Sequence, residues 1–140
     1  MTADAQTPVR ERRRTRSGRL QLALNNQLRH VLELYGFDDV VLANEDGLIV
    51  SSAGAVSRAA TLAAIAPLMA DGQDGAAIRR HLPEIGLDRI AVHSLEVDHE
   101  PLFLSVTTQS TADTRKAIGR AFEHLESGVR RIFGTLAQPA

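Results

Sequence analysis

The stretch Asp39–Ser52, DVVLANEDGLIVSS, decides how the rest of the chain is read. Val40, Val41, Leu42 and Ala43 form a short apolar run rich in β-branched residues, and Leu48, Ile49 and Val50 form a second. Asn44, Glu45, Asp46 and Gly47 lie between them. A glycine at the end of such a loop supplies the positive φ that closes a hairpin. Neither run alternates apolar with polar, so both faces of these strands are expected to be covered. Val41, Leu42, Ile49 and Val50 should then be largely buried, with helices above and below the sheet.

Upstream of the hairpin, Leu20, Leu24, Leu28, Val31, Leu32 and Tyr35 recur at spacings of three and four. They predict an amphipathic helix opening at Ser17 or Gly18 and ended by Gly36 as the C′ residue. Asn25, Gln27, Arg29, His30 and Glu33 fall on its wet side, with His30 a surface histidine rather than a ligand. Downstream, Ala53-Gly54-Ala55 reads as a loop and Ser57 as an N-cap for SRAATLAAIAPLMA. Alanine favours helix but buries little area, so its use on a helix face is to let another backbone come close. Pro67 is expected to kink or break this helix, and Gly72 and Gly75 blur its end. A last helical turn is expected at Ala76–Arg80.

His81–Ile85 reads as a short strand, confined to a sheet edge by Pro83. Arg89–Val97 and Leu102–Thr108 predict a second hairpin across Asp98-His99-Glu100-Pro101. Its first strand changes phase between Ile90/Val92 and Leu95/Val97, which points to a bulge near His93-Ser94. In the second strand Leu102, Leu104 and Val106 share a face. From about Asp113 to Leu136 the stripe of Ala117, Ile118, Ala121, Phe122, Leu125, Val129, Ile132, Phe133 and Leu136 predicts a closing helix. The order is helix, two strands, helix, an optional edge strand, two strands, helix: an α+β domain with an antiparallel sheet.

With 140 residues there is enough chain for one domain. The absence of cysteine excludes disulfides, thiolate metal sites and thiol catalysis. No apolar run spans a bilayer, and the basic N-terminus has no apolar segment behind it, so a cytoplasmic location is expected. Charge is unevenly spread. Arg10, Arg12, Arg13, Arg14, Arg16 and Arg19 face only Asp4 and Glu11 within residues 1–19, while the remainder is acidic. Residues 1–18 therefore read as a disordered basic arm, and 19–140 as the folded domain. The arm suits nucleic acid, an anionic membrane or an acidic protein face. A solvated tail is the plainer reading, since no aromatics interleave the arginines.

Motifs that carry chemistry are missing. There is no G-x-G-x-x-G, no G-x-x-x-x-G-K-[ST] and no G-x-S-x-G. His93, Glu96, His99 and Glu100 resemble metal ligands in type but not in assured placement. Asp38-Asp39 and Glu45-Asp46 stand at strand ends, where solvated carboxylates are expected, and none is assigned to acid–base catalysis. No catalytic residue, metal or cofactor is assigned, no small-molecule substrate is expected, and the reading is a non-enzymatic interaction module.

The element order, the segment GFDDVVLANEDGLIVSSAG and the alanine-rich SRAATLAAIAPLMA together resemble the Roadblock/dynein-light-chain domain, over about Leu20 to Leu136. Pro67, Pro83 and the arginine-rich arm depart from the family's pattern. The resemblance implies a profilin-like sandwich that dimerises through its second helix and edge strand, here Ala59, Ala60, Ala63, Ala64, Ile65, Ala66 and Pro83. It also implies partners among Ras-like small GTPases or larger assemblies, with a regulatory, scaffolding or GTPase-activating role. An activator often places an arginine at the transition state, and the candidates are Arg58, Arg79 and Arg80. A competing reading is a small ligand-sensing domain of the PAS or GAF kind. That reading needs a pocket, usually lined with aromatics, and one Tyr and four Phe argue against it.

Overall fold

The computed structural model describes residues 2–72, 89–108 and 112–136, with side chains for 18–72, 89–108 and 116–135. In chain order the described elements are α1 (Thr2–Tyr35), β1 (Asp39–Asn44), β2 (Ile49–Ala53), α2 (Val56–Ala70), β3 (Ile90–Val97), β4 (Glu100–Thr107) and α3 (Ala112–Leu136). The strands form one sheet in the order β2-β1-β4-β3, with every neighbouring pair antiparallel.

Three layers result, because the sheet is apolar on both sides. Val40, Leu42, Leu104 and Val106 face α1 and α3, where they meet Leu24, Leu28, Val31, Leu125 and Val129. Val41 and Ala43 face the other way and pack under Leu62, Ala63 and Ile65 of α2. Each fully buried aliphatic side chain contributes about 1.5–3 kcal/mol of transfer free energy, so this double-sided packing is what the unbroken apolar run in β1 encodes.

β2 departs from expectation. Ile49 is 44% exposed and Val50 only half-buried. Leu42 pairs with Ser51 but Ala43 pairs with Ile49, so Val50 is an extra residue in a bulge. The strand lies at the sheet edge, and past the bulge Ile49 sits at the hairpin mouth. The turn itself follows the sequence: Gly47 has φ 77, and Asn44 Oδ1 accepts the amides of Asp46 and Leu48 at 3.0 Å each.

No bulge occurs near His93-Ser94. β3 pairs with β4 in unbroken register from Ile90↔Thr107 to Val97↔Glu100. The phase change has another cause: Ile90 and Val92 pack towards α2, while Ala91, Leu95 and Val97 pack towards α1 and α3. The two-residue turn between these strands holds Asp98 and His99 at φ 52 and 67, the left-handed pair of a type I′ hairpin.

α1 begins at Thr2 rather than at Ser17 or Gly18. Arg, Ala, Gln and Glu are good helix formers, and extending an existing helix avoids the cost of nucleation. At the other end Gly36 (φ 71) lets the Phe37 amide reach back to the Leu32 carbonyl at 3.0 Å, a Schellman closure. Asn25 and Gln27 do not lie on the wet side: Asn25 Oδ1 accepts Ser51 Oγ at 2.6 Å, and Gln27 Nε2 is buried without a partner. Arg29, His30 and Glu33 are exposed as expected.

α2 starts from Ala55, which offers no side-chain cap, and not from Ser57. Pro67 does not break it. Its missing N–H falls in the final turn, where its own carbonyl still accepts the Asp71 amide at 3.1 Å. The strand expected at His81–Ile85, with Pro83, and the helical turn at Ala76–Arg80 lie outside the described residues. Among the described residues no helix is long and apolar enough to cross a membrane.

Candidate interaction surface

Two features of α2 define the site: how it is fixed, and what it leaves outward. Its first turn is held by Asp39, which opens β1. Asp39 is 1% exposed, against the expectation of a solvated carboxylate. Its Oδ2 accepts Thr107 Oγ1 at 2.6 Å and Arg58 Nε at 2.9 Å, and its Oδ1 accepts the Ala55 amide at 3.0 Å and Arg58 Nη2 at 3.2 Å. Burial pushes the Asp39 carboxyl up, but the bonds from Arg58, Thr107 and Ala55 and the Arg58 charge outweigh it, so its pKa lies below the ordinary value. Gly54 (φ 111) makes room for this cluster: a Cβ there would lie 2.5 Å from Asp39 Oδ1 and 2.6 Å from the Asp38 carbonyl oxygen. β1, β4 and the start of α2 are thereby tied at one point.

A second tie lies midway along the helix. A Cβ on Gly47 would sit 3.2 Å from Ala64 Cα, so the β1–β2 turn rests directly on the α2 backbone. Leu48, 62% exposed, and Ile49 flank this contact.

The inward face of α2 carries Ala59, Leu62, Ala63, Ile65 and Ala66, all buried. Four residues expected at a dimer interface, Ala59, Ala63, Ile65 and Ala66, are therefore spent on the sheet, because their spacing follows the apolar line that covers Val41 and Ala43. Ala60 and Ala64 do point outward. They belong to a line at intervals of four, Val56, Ala60, Ala64 and Leu68, in which Val56 is 86% exposed. Leu48, Val56 and Leu68 were not anticipated at this surface. The signal for the last two was the four-residue spacing through Ala60 and Ala64.

The other candidates disperse. Arg58 is engaged with Asp39 while 42% of its side chain is exposed. Arg79 and Arg80 lie outside the described residues, as do the side chains of Arg10, Arg12, Arg13, Arg14 and Arg16. His93 stacks on Phe122 and meets Glu126 Oε1 at 3.1 Å on the α3 side, whereas Glu96 and His99 pair at 3.5 Å by the solvent-exposed turn. Among the described residues no three His, Asp or Glu side chains are grouped to hold a metal ion.

Solved structures share this architecture. The chain resembles the gliding protein MglB of Thermus thermophilus at 15% identity and a TM-score of 0.55, over 81% of this chain and 90% of that one. It resembles Myxococcus xanthus MglB at 18% identity and a TM-score of 0.51, over 85% and 93%. A structure of MglB in a tetrameric arrangement matches at 16% identity and a TM-score of 0.52, over 81% and 89%. This chain has a Roadblock-type fold. At these identities the likeness is one of fold. No family model matches the chain, and no curated protein does. In the Roadblock-type frame of this chain, the Val56–Leu68 line is the outer surface of α2, and the hairpin tip lies beside it.

Proposed function

We propose that this chain is a non-enzymatic, self-pairing Roadblock-type module that regulates or scaffolds a Ras-like small GTPase. The observation that carries the reading is the outward line Val56, Ala60, Ala64 and Leu68, with Leu48 and Ile49 beside it. Soluble proteins cover contiguous apolar surface of this kind, and a two-fold axis lets one copy cover the other. The small side chains at Ala60 and Ala64 allow two such helices to approach closely. The likeness to MglB of gliding bacteria supports a place beside a small GTPase of the polarity or motility kind.

Light scattering tests the pairing. The chain of 15.2 kDa is expected at about twice that mass at tens of micromolar, and Ala64→Arg is expected to run as a monomer with an unchanged circular dichroism spectrum. A wild-type monomer overturns the pairing. The GTPase half is tested by pull-down with Ras-like GTPases from the same cell, loaded with a GTP analogue or with GDP. Binding to none of them, by a protein that is dimeric, overturns it.

A further inference from the structure

A glycine brings α1 and α3 together at one place. A Cβ on Gly128 would lie 2.5 Å from Gln27 Cδ, so the Gln27 side chain fills the space that any other residue at 128 would need. One turn away, onward along α1 and back along α3, the next residues to meet are both histidines. His30 follows Gln27 by three positions and His124 precedes Gly128 by four. Their rings stand edge to face, with centroids 5.7 Å apart.

The two rings are held differently. His124 is half-buried, and Tyr35 packs edge-on against it at 6.2 Å while itself stacking on buried Phe37 at 5.9 Å. That contact fixes one imidazole in place. His30 is exposed, so its ring can turn and water has access to it.

We propose that His30 and His124 form a two-imidazole site for a late first-row divalent cation, Cu2+ most tightly, which joins α1 to α3. Distance carries the assignment. With a metal–nitrogen bond of about 2.0–2.1 Å, an ion lies about 3.2 Å from the centre of each ligating ring, and two rings on a tetrahedral ion stand about 5.2 Å apart. The observed separation exceeds that by about 0.5 Å, which a rotation of the exposed His30 side chain closes. Imidazole suits Cu2+, Ni2+ and Zn2+, with Cu2+ at the top of the affinity order. Mg2+ and Ca2+ take oxygen ligands and do not fit. Of the other described histidines, His93 stacks on Phe122 and His99 stands at the β3–β4 turn, so this is the one imidazole pair among the described residues. Two protein ligands leave the remaining coordination positions to water, which makes an exchangeable site rather than a closed structural one. The site is independent of the α2 surface and of the GTPase reading.

Titration calorimetry of the metal-stripped full chain with CuCl2, beside melting curves at rising Cu2+, tests the proposal. One Cu2+ should bind per chain, and the melting temperature should rise with the logarithm of free Cu2+ above the dissociation constant, because the ion ties together two helices that are apart in the unfolded chain. Protons compete for the same nitrogens, so binding should weaken as the pH is lowered. His30→Gln, at an exposed position, should keep the circular dichroism spectrum and weaken Cu2+ binding by more than about tenfold, and His124→Gln should do the same. His93→Gln and His99→Gln should leave binding unchanged. Three outcomes overturn the proposal: no Cu2+ bound at about 100 μM, undiminished binding by the folded His30→Gln protein, or an equal rise in melting temperature with MgCl2.

Discussion

Asp39→Asn removes a charge while keeping a side chain of nearly the same shape. The wild-type carboxylate accepts from Thr107 Oγ1 at 2.6 Å, from the Ala55 amide at 3.0 Å and from Arg58 twice. A hydrogen bond to a charged group is worth about 1.5–3 kcal/mol, and the carboxamide keeps one acceptor oxygen where two were used. The Arg58 pair counts for less, about 0.5–1 kcal/mol, because that side chain is partly in water. The expected loss is about 2–3 kcal/mol at pH 7 by urea denaturation, with the slope against urea unchanged. The pH dependence adds a sign. Asp39 has a folded pKa below its unfolded value of about 4, so its contribution is fully present above that value and fades as pH falls through the folded pKa. The amide mimics the protonated acid, so the gap between variant and wild type should close towards pH 3. A loss under 0.5 kcal/mol at pH 7, or a gap as large at pH 3 as at pH 7, would refute the latch.

Gly54→Ala should cost about 3 kcal/mol or more, since φ is 111 and the new Cβ would meet Asp39 and the Asp38 carbonyl oxygen; chemical denaturation measures it. Gln27→Met should leave stability unchanged or raise it by up to about 1 kcal/mol, because it removes a buried amide nitrogen that has no partner. Leu104→Ala empties a fully buried site in the layer under α1 and α3 and should cost about 2–5 kcal/mol. Deleting residues 1–17 should leave the melting temperature nearly unchanged by calorimetry, as the apolar line of α1 ends at Leu20.

What could be read from the sequence was what depends on local pattern. The run Val40–Ala43 encodes a strand covered on both sides, Gly47 and Gly36 encode their turns, and the alanine-rich run encodes a helix. What could not be read depends on where distant segments meet. Nothing near Asp39 marks it as buried, because its partners Arg58 and Thr107 are 19 and 68 residues away. The phase change in β3 reads as a bulge only if its apolar residues all share one face, and the register with β4 is unbroken. In fact α2 covers only Ile90 and Val92 on one side, and the other helices cover the rest. The burial of Ala59, Ala63, Ile65 and Ala66 against the sheet is equally hidden from the sequence. Composition shows that a helix is lined with small residues all round, but only the sheet decides which of them it consumes.

The two ties on α2 bear on how its outer surface can work. A helix lined with alanine buries little area per residue, so its position on the sheet is weakly fixed by side-chain packing alone. The Asp39 cluster fixes its first turn, and the Gly47 turn fixes its middle against Ala64. Ala60 lies between these two points, and Leu48 is carried by the turn itself. Such a surface presents its groups without first having to order them, which lowers the entropic cost of association. The same construction makes hairpin and helix one body, so a partner that displaces Leu48 or Ile49 also bears on α2. Loosening the latch at Asp39, 21 residues before Ala60 in sequence, should therefore weaken self-association in a protein that remains folded at pH 7.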